Sequence, residues 1–193
     1  MFKRIILVLF LLTTVSQTIY ADDVTDSIDE ALEAYKEGEY SEAIESLNYA
    51  TQVIQQKKAG QLSAFLPEPL EGWSVNSRKG SGGAIFGGGS SSSRSYKKGS
   101  SSVTVAIAAD SPAMQSMMMI FANPMFANSS GGEMQKIKRQ KAVVTYDEGR
   151  KQGDIKIIVK KRFFVTIEGR HVSRDDLVAY AKGINYKKLS RLP

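Results

Sequence analysis

The chain has no cysteine, one histidine and one tryptophan. Without thiols there are no disulfides, no thiolate metal sites and no thiol catalysis, so packing alone must hold the fold. The single His171 lies between Arg170 and Val172 at an expected strand-to-helix turn. One histidine cannot furnish a typical zinc site, and at such a turn it reads as a surface residue rather than the base of a hydrolytic triad. The longest apolar run, Ile5 to Leu12, is about half the roughly 20 residues that a spanning helix needs. Neither G-x-x-x-x-G-K-[ST] nor a G-x-G-x-x-G placed between a strand and a helix occurs, so the known phosphate cradles are missing. The adjacent acids Asp147-Glu148 and Asp175-Asp176 fall at a turn and a helix start, not in the opposed geometry of glycosidase carboxylates. The expectation is a protein that is not an enzyme and has neither cofactor nor metal site.

What is present falls into three compositional parts. Lys3 and Arg4 precede the apolar run, and Ile19-Tyr20-Ala21 follows its polar exit. This is the pattern of a secretory signal peptide, residues 1–21, removed after Ala21; a retained N-terminal anchor is the alternative. No cysteine follows the run, which excludes a lipid-anchored lipoprotein. The expected location is the periplasm or the exterior, and the processed chain is not expected to be an integral membrane protein. Residues 22–60 carry ten acidic and three basic side chains, a net −7, whereas residues 136–193 carry sixteen basic and six acidic, a net +10. Such asymmetry implies a charged partner, attraction within the molecule, or simply two solvated faces. After export, nucleic acid is not an expected partner. Another envelope protein, an anionic lipid or a polysaccharide suits the basic surface better, beside the plainer reading of a solubilising face.

Within the acidic segment, Val24, Ile28, Ala31, Leu32 and Tyr35 recur at helical spacing, as do Tyr40, Ala43, Ile44, Leu47, Ala50 and Ile54. Two helices are expected, broken at Gly38 where a left-handed residue can end the first. Small Ala43 and Ala50 would let them approach, with Tyr40 and Leu47 filling the crossing. Through Gly38, Tyr40, Ala43, Leu47 and Ala50 the segment resembles a single tetratricopeptide repeat, about residues 24–58. It departs from that pattern at Ser27, Glu30, Ala34 and Gln55. The resemblance implies protein–protein contact. One repeat cannot bury its own face, so the hairpin must dock on its own domain, pair with another hairpin or receive a partner. The exposed acids Glu33, Glu37, Glu42 and Glu45 are the candidate partner-binding residues.

Residues 61–193 form the larger, basic part. Leu66-Pro67-Glu68-Pro69 reads as a stiff entry, and Trp73 as a core anchor at the domain's edge, with ligand stacking as the sharper alternative. Gly and Ser dominate residues 80–102, which read as a mobile loop or flap with a short strand at Arg94–Tyr96. A second functional reading places a small apolar or anionic ligand between this flap and the sheet, at Trp73, Phe86 and Arg94. Val103, Val105 and Ile107 alternate with smaller residues as a half-buried strand does. Asp110-Ser111-Pro112 starts a helix whose Met114, Met117, Met118, Phe121 and Met125 share one face. Methionine at helical spacing is core filling in the plain reading and a copper(I) site in the sharper one. Four further strands are expected at Met134–Lys138, Ala142–Tyr146, Ile155–Lys160 and Phe163–Glu168. Ser173 and Asp176 form a capping box for a closing helix.

The fold class is therefore α+β: an N-terminal helical hairpin, then an antiparallel sheet of about six or seven strands covered by two helices. In outline this is similar to the sheet-and-helix sandwich of the PsbP-like family. The expected function is that of an exported adaptor or accessory subunit acting through protein–protein contact, with the periplasmic ligand-binding module as the alternative.

Overall fold

A computed structural model describes residues 22–76, 89–111, 113–122, 125 and 131–192. The leader and residues 80–88 of the glycine-rich flap, Phe86 among them, lie outside the described residues. The chain forms two compact units that divide between Ala50 and Thr51, within one continuous helix.

The first unit is the hairpin. Helix α1 spans Asp23–Glu37 and α2 spans Tyr40–Ser63. Gly38 adopts φ +83°, and its N–H donates to the carbonyls of Ala34 and Tyr35. That left-handed turn closes α1 with little steric cost only for glycine. Asp23 and Asp26 in the first turn oppose the positive end of the helix dipole. Ala31, Ala34, Ala43 and Ala50 are buried. Tyr40 and Leu47 do not fill the crossing: they are 62% and 49% exposed. The small residues are the buried ones, and the large residues stand outside.

The second unit is a seven-stranded antiparallel sheet in the order β1-β2-β3-β7-β6-β5-β4. Its strands are β1 (Ser74–Asn76), β2 (Ser90–Lys98), β3 (Ser101–Ala109), β4 (Gly132–Ile137), β5 (Gln140–Asp147), β6 (Gln152–Val159) and β7 (Phe163–Arg170). Strands β4 to β7 form the expected meander, and β7 then pairs with β3 from Ser102↔Arg170 to Ala109↔Phe163. The serine tract Ser90–Ser93, expected in a loop, is instead strand, paired residue by residue with Ile107 to Ala109 and Ala106. Serine has little strand preference of its own; the apolar β3 alongside supplies the template.

Alternation along the strands makes two faces. Val103, Val105, Ile107, Ile155, Ile157, Val159, Val165 and Ile167 point into the main core. Leu177, Tyr180 and Ala181 of α4 (Arg174–Gly183) and Leu189 of α5 (Tyr186–Leu189) cover them, together with Leu62 from the end of α2 and Leu66 just beyond it. On the other face Ala106, Ala108 and Phe164 pack against Met114 of α3 (Ala113–Ala122). The capping box is present: the Ser173 hydroxyl accepts from the Asp176 N–H at 3.1 Å, and the Asp176 carboxylate accepts from the Ser173 N–H at 3.3 Å.

Gly169 lets α4 sit directly on β7. A Cβ there would stand 2.5 Å from Val172 Cγ2 and 2.6 Å from Leu177 Cδ2, both on buried side chains. Gly169→Ala is expected to lower unfolding free energy by about 1–3 kcal/mol, the range for overpacking. Gly60→Ala, with open space around its Cβ, should leave stability unchanged or raised by up to about 1 kcal/mol. Urea denaturation of both variants checks the contrast.

Candidate functional site

The hairpin presents an uncovered apolar groove. Ile28, Leu32 and Tyr35 of α1 face Tyr40, Ile44 and Leu47 of α2 across a cleft of about 460 Å³ floored by Ala31 and Ala43. The six large side chains are between 44% and 64% exposed, and none of the lining residues is charged. The Tyr35 and Tyr40 rings meet at 5.7 Å across the turn. Burying a large apolar side chain stabilises by roughly 1.5–3 kcal/mol, and this surface realises only part of that within its own unit.

The four candidate acids are all exposed, but none lines the groove. At about 100° per residue, Glu33 and Glu37 fall on the far side of α1 from Ile28, Leu32 and Tyr35. Glu42 and Glu45 are likewise turned away from Tyr40, Ile44 and Leu47. They act on the groove only through the field of the unit, where residues 22–50 hold ten acids and the single base Lys36, a net −9. The groove residues were visible in the sequence as two apolar stripes. What the periodicity could not show was which of those residues the helices would bury against each other.

The residues of the alternative ligand site have structural partners. Trp73 is 8% exposed and stands edge-on to Tyr180, with ring centroids 5.5 Å apart at 88°. Tyr96 packs on the same Tyr180 ring at 4.4 Å. The Tyr96 hydroxyl donates to the Pro67 carbonyl, and Arg94 Nη1 donates to that oxygen at 3.2 Å. Trp73 and Arg94 thus fasten the proline-rich entry to the sheet, as a core anchor does. Phe86 lies outside the described residues.

Other candidates are placed as follows. His171 is exposed in a left-handed turn at φ 54°, and its carbonyl accepts from the Ser101 hydroxyl. On α3, Met114 is buried and Met118 half-buried, whereas Met119 is 67% exposed. Among the described residues no group of three His, Cys, Asp or Glu side chains could hold a metal ion, and no helix is long and apolar enough to cross a membrane. The Asp110 carboxyl is lowered from its ordinary value, first by the hydrogen bond from Lys58 at 2.8 Å and also by that from Arg162 at 3.2 Å. Compared with family models, curated proteins and solved structures, the chain matches none.

Burial pushes the Tyr96 and Tyr180 phenols up to about 12 from an ordinary 10. The folded state holds these protons where the unfolded chain releases them. Their contribution is therefore complete below pH 10 and is lost as pH rises from 10 toward 12. Unfolding free energy should fall across that interval, and Tyr180→Phe should show a shallower fall in parallel urea titrations at pH 9, 10 and 11.

Proposed function

We propose that this is an exported, non-enzymatic adaptor or accessory subunit whose hairpin receives an amphipathic helix from another envelope protein. One observation carries the reading: six large apolar side chains from two helices converge on a groove that nothing in their own compact unit covers. A helix laid into such a groove buries its own apolar stripe and that of the hairpin together. The likeness to a single tetratricopeptide repeat supports this, because such hairpins complete their cores with a neighbouring helix. The net −9 of residues 22–50 favours an incoming helix with cationic flanks. The outlying acids Glu33, Glu37, Glu42 and Glu45 then serve chiefly to speed encounter rather than to hold the complex.

A photo-crosslinking residue at Leu32, in cells exporting the protein, tests this. The crosslinked peptide should come from a different protein and carry apolar residues at helical spacing with lysine or arginine beside them. Ile44→Gln with Leu47→Gln should weaken that crosslink at least tenfold without altering the fold, since both side chains are already half in water. Reversing the four acids should slow association in a salt-dependent way and leave the crosslinked site the same. An unaltered crosslink in the groove variant, or one formed only with another copy of this chain, would overturn the proposal.

A further inference from the structure

At one end of the sheet two hairpin tips lie side by side, and both are cationic. Lys138 and Arg139 form the two-residue turn between the paired Ile137 and Gln140. Lys160, Lys161 and Arg162 form the turn between the paired Val159 and Phe163. Strands β5 and β6 are neighbours with Ala142 opposite Ile157, which brings Gln140 beside Val159 and the two tips together.

The backbone at these tips is unusual for the residues that occupy it. Lys138, Arg139, Lys160 and Lys161 have φ of 44°, 67°, 55° and 54°. Asn and Gly dominate tight turns of this kind, because other L-residues are strained there by about 1 kcal/mol or more each. Just inside the first tip, Lys136 stands directly opposite Lys141 across β4 and β5, a like-charge pairing that is itself unfavourable. Arg162 is committed, to Asp110 and to the Leu192 carbonyl. By contrast Lys138, Arg139, Lys141, Lys160, Lys161 and Lys187 are exposed, and among the described residues no carboxylate pairs with them.

Apolar surface adjoins this charge. A recess of about 510 Å³ has Met118, Phe121 and Ile158 among its walls and Arg139, Lys141, Lys160 and Lys161 at its rim. A second, of about 670 Å³, shares Arg139 and Lys160 and adds Lys138 and Lys187, though its apolar lining residues Val159 and Ile184 are themselves buried. Neither has an acidic residue in its lining. Phe121, on helix α3, is only half-buried there.

We propose that this end of the sheet unit docks on an anionic phospholipid bilayer. The six cations would meet the headgroup phosphates, while Phe121 at the recess enters the acyl boundary. The combination favours a bilayer over a polysaccharide, which offers charge and hydroxyls but no hydrocarbon layer for the apolar residues. Cations fixed in short turns between paired strands meet such a surface with little ordering left to do.

Co-sedimentation of the purified full chain, as processed by the cell, with lipid vesicles tests the proposal. Binding is expected to phosphatidylcholine vesicles containing 30 mol% phosphatidylglycerol, not to phosphatidylcholine alone, and it should weaken between 50 and 500 mM NaCl. The decisive variant replaces Lys138-Arg139 and Lys160-Lys161 each by Asn-Gly. It suits the backbone better, so its melting temperature should be unchanged or higher. Its vesicle binding should nevertheless fall at least tenfold, since each cation near an anionic surface strengthens partitioning roughly fivefold. Phe121→Ser should weaken vesicle binding several-fold and leave retention on dextran sulfate unchanged. Undiminished vesicle binding by the Asn-Gly variant would overturn the proposal. So would equal binding to vesicles and dextran sulfate with no dependence on Phe121, which would mark a general polyanion site.

Discussion

The pairing of β3 with β7 is the constraint on which the sheet unit depends. It joins the β1–β3 and β4–β7 runs into one sheet through a register that holds from Ser102↔Arg170 to Ala109↔Phe163. These strands come from distant parts of the chain, so their contact carries a large loop-closure cost. Packing on both sides offsets that cost. Val105, Ile107, Val165 and Ile167 meet the main core, while Ala106, Ala108 and Phe164 meet Met114. Strands covered on both faces lose the clean polar alternation of a half-exposed sheet, and β7 is accordingly buried from Phe163 through Ile167.

With no disulfide to draw on, strand β2 is held by a different device. Tyr180 of α4 stacks with Tyr96 and takes the edge of Trp73. Tyr96 and Arg94 in turn share the Pro67 carbonyl. The closing helix, strand β2 and the entry to the unit are thereby locked to one another by aromatic packing and one doubly used acceptor. Side chains that serve this lock have little freedom left for a ligand.

Much of the fold was legible in the chain because local rules and tertiary packing agree. Strands β4 to β7 announced themselves by Val, Ile and Phe separated by Gly and basic turns. Ser173 and Asp176 capped the last helix where their spacing placed them. Ser90–Ser93 could not be read as strand, because its reason for being one lies in β3 rather than in serine. The hairpin helices were legible too, yet their candidate surface was not fully so. Glu33, Glu37, Glu42 and Glu45 drew attention as charge, whereas the concave surface is made by Ile28, Leu32, Tyr35, Tyr40, Ile44 and Leu47. Periodicity identifies an apolar stripe, but not which part of it is buried and which part stays outside.

The basic turns bear on how the protein resists proteolysis. A trypsin-like protease needs several residues around lysine or arginine in extended form. Lys138 and Arg139 are bent into left-handed geometry between Ile137 and Gln140, which are bonded to each other. Lys160 and Lys161 are similarly confined between Val159 and Phe163. Neither tip can be drawn into a protease cleft without first parting the hydrogen-bonded strands that it joins. Sites that look most vulnerable in the sequence are therefore shielded by backbone geometry, and proteolysis there must wait on opening of the sheet itself.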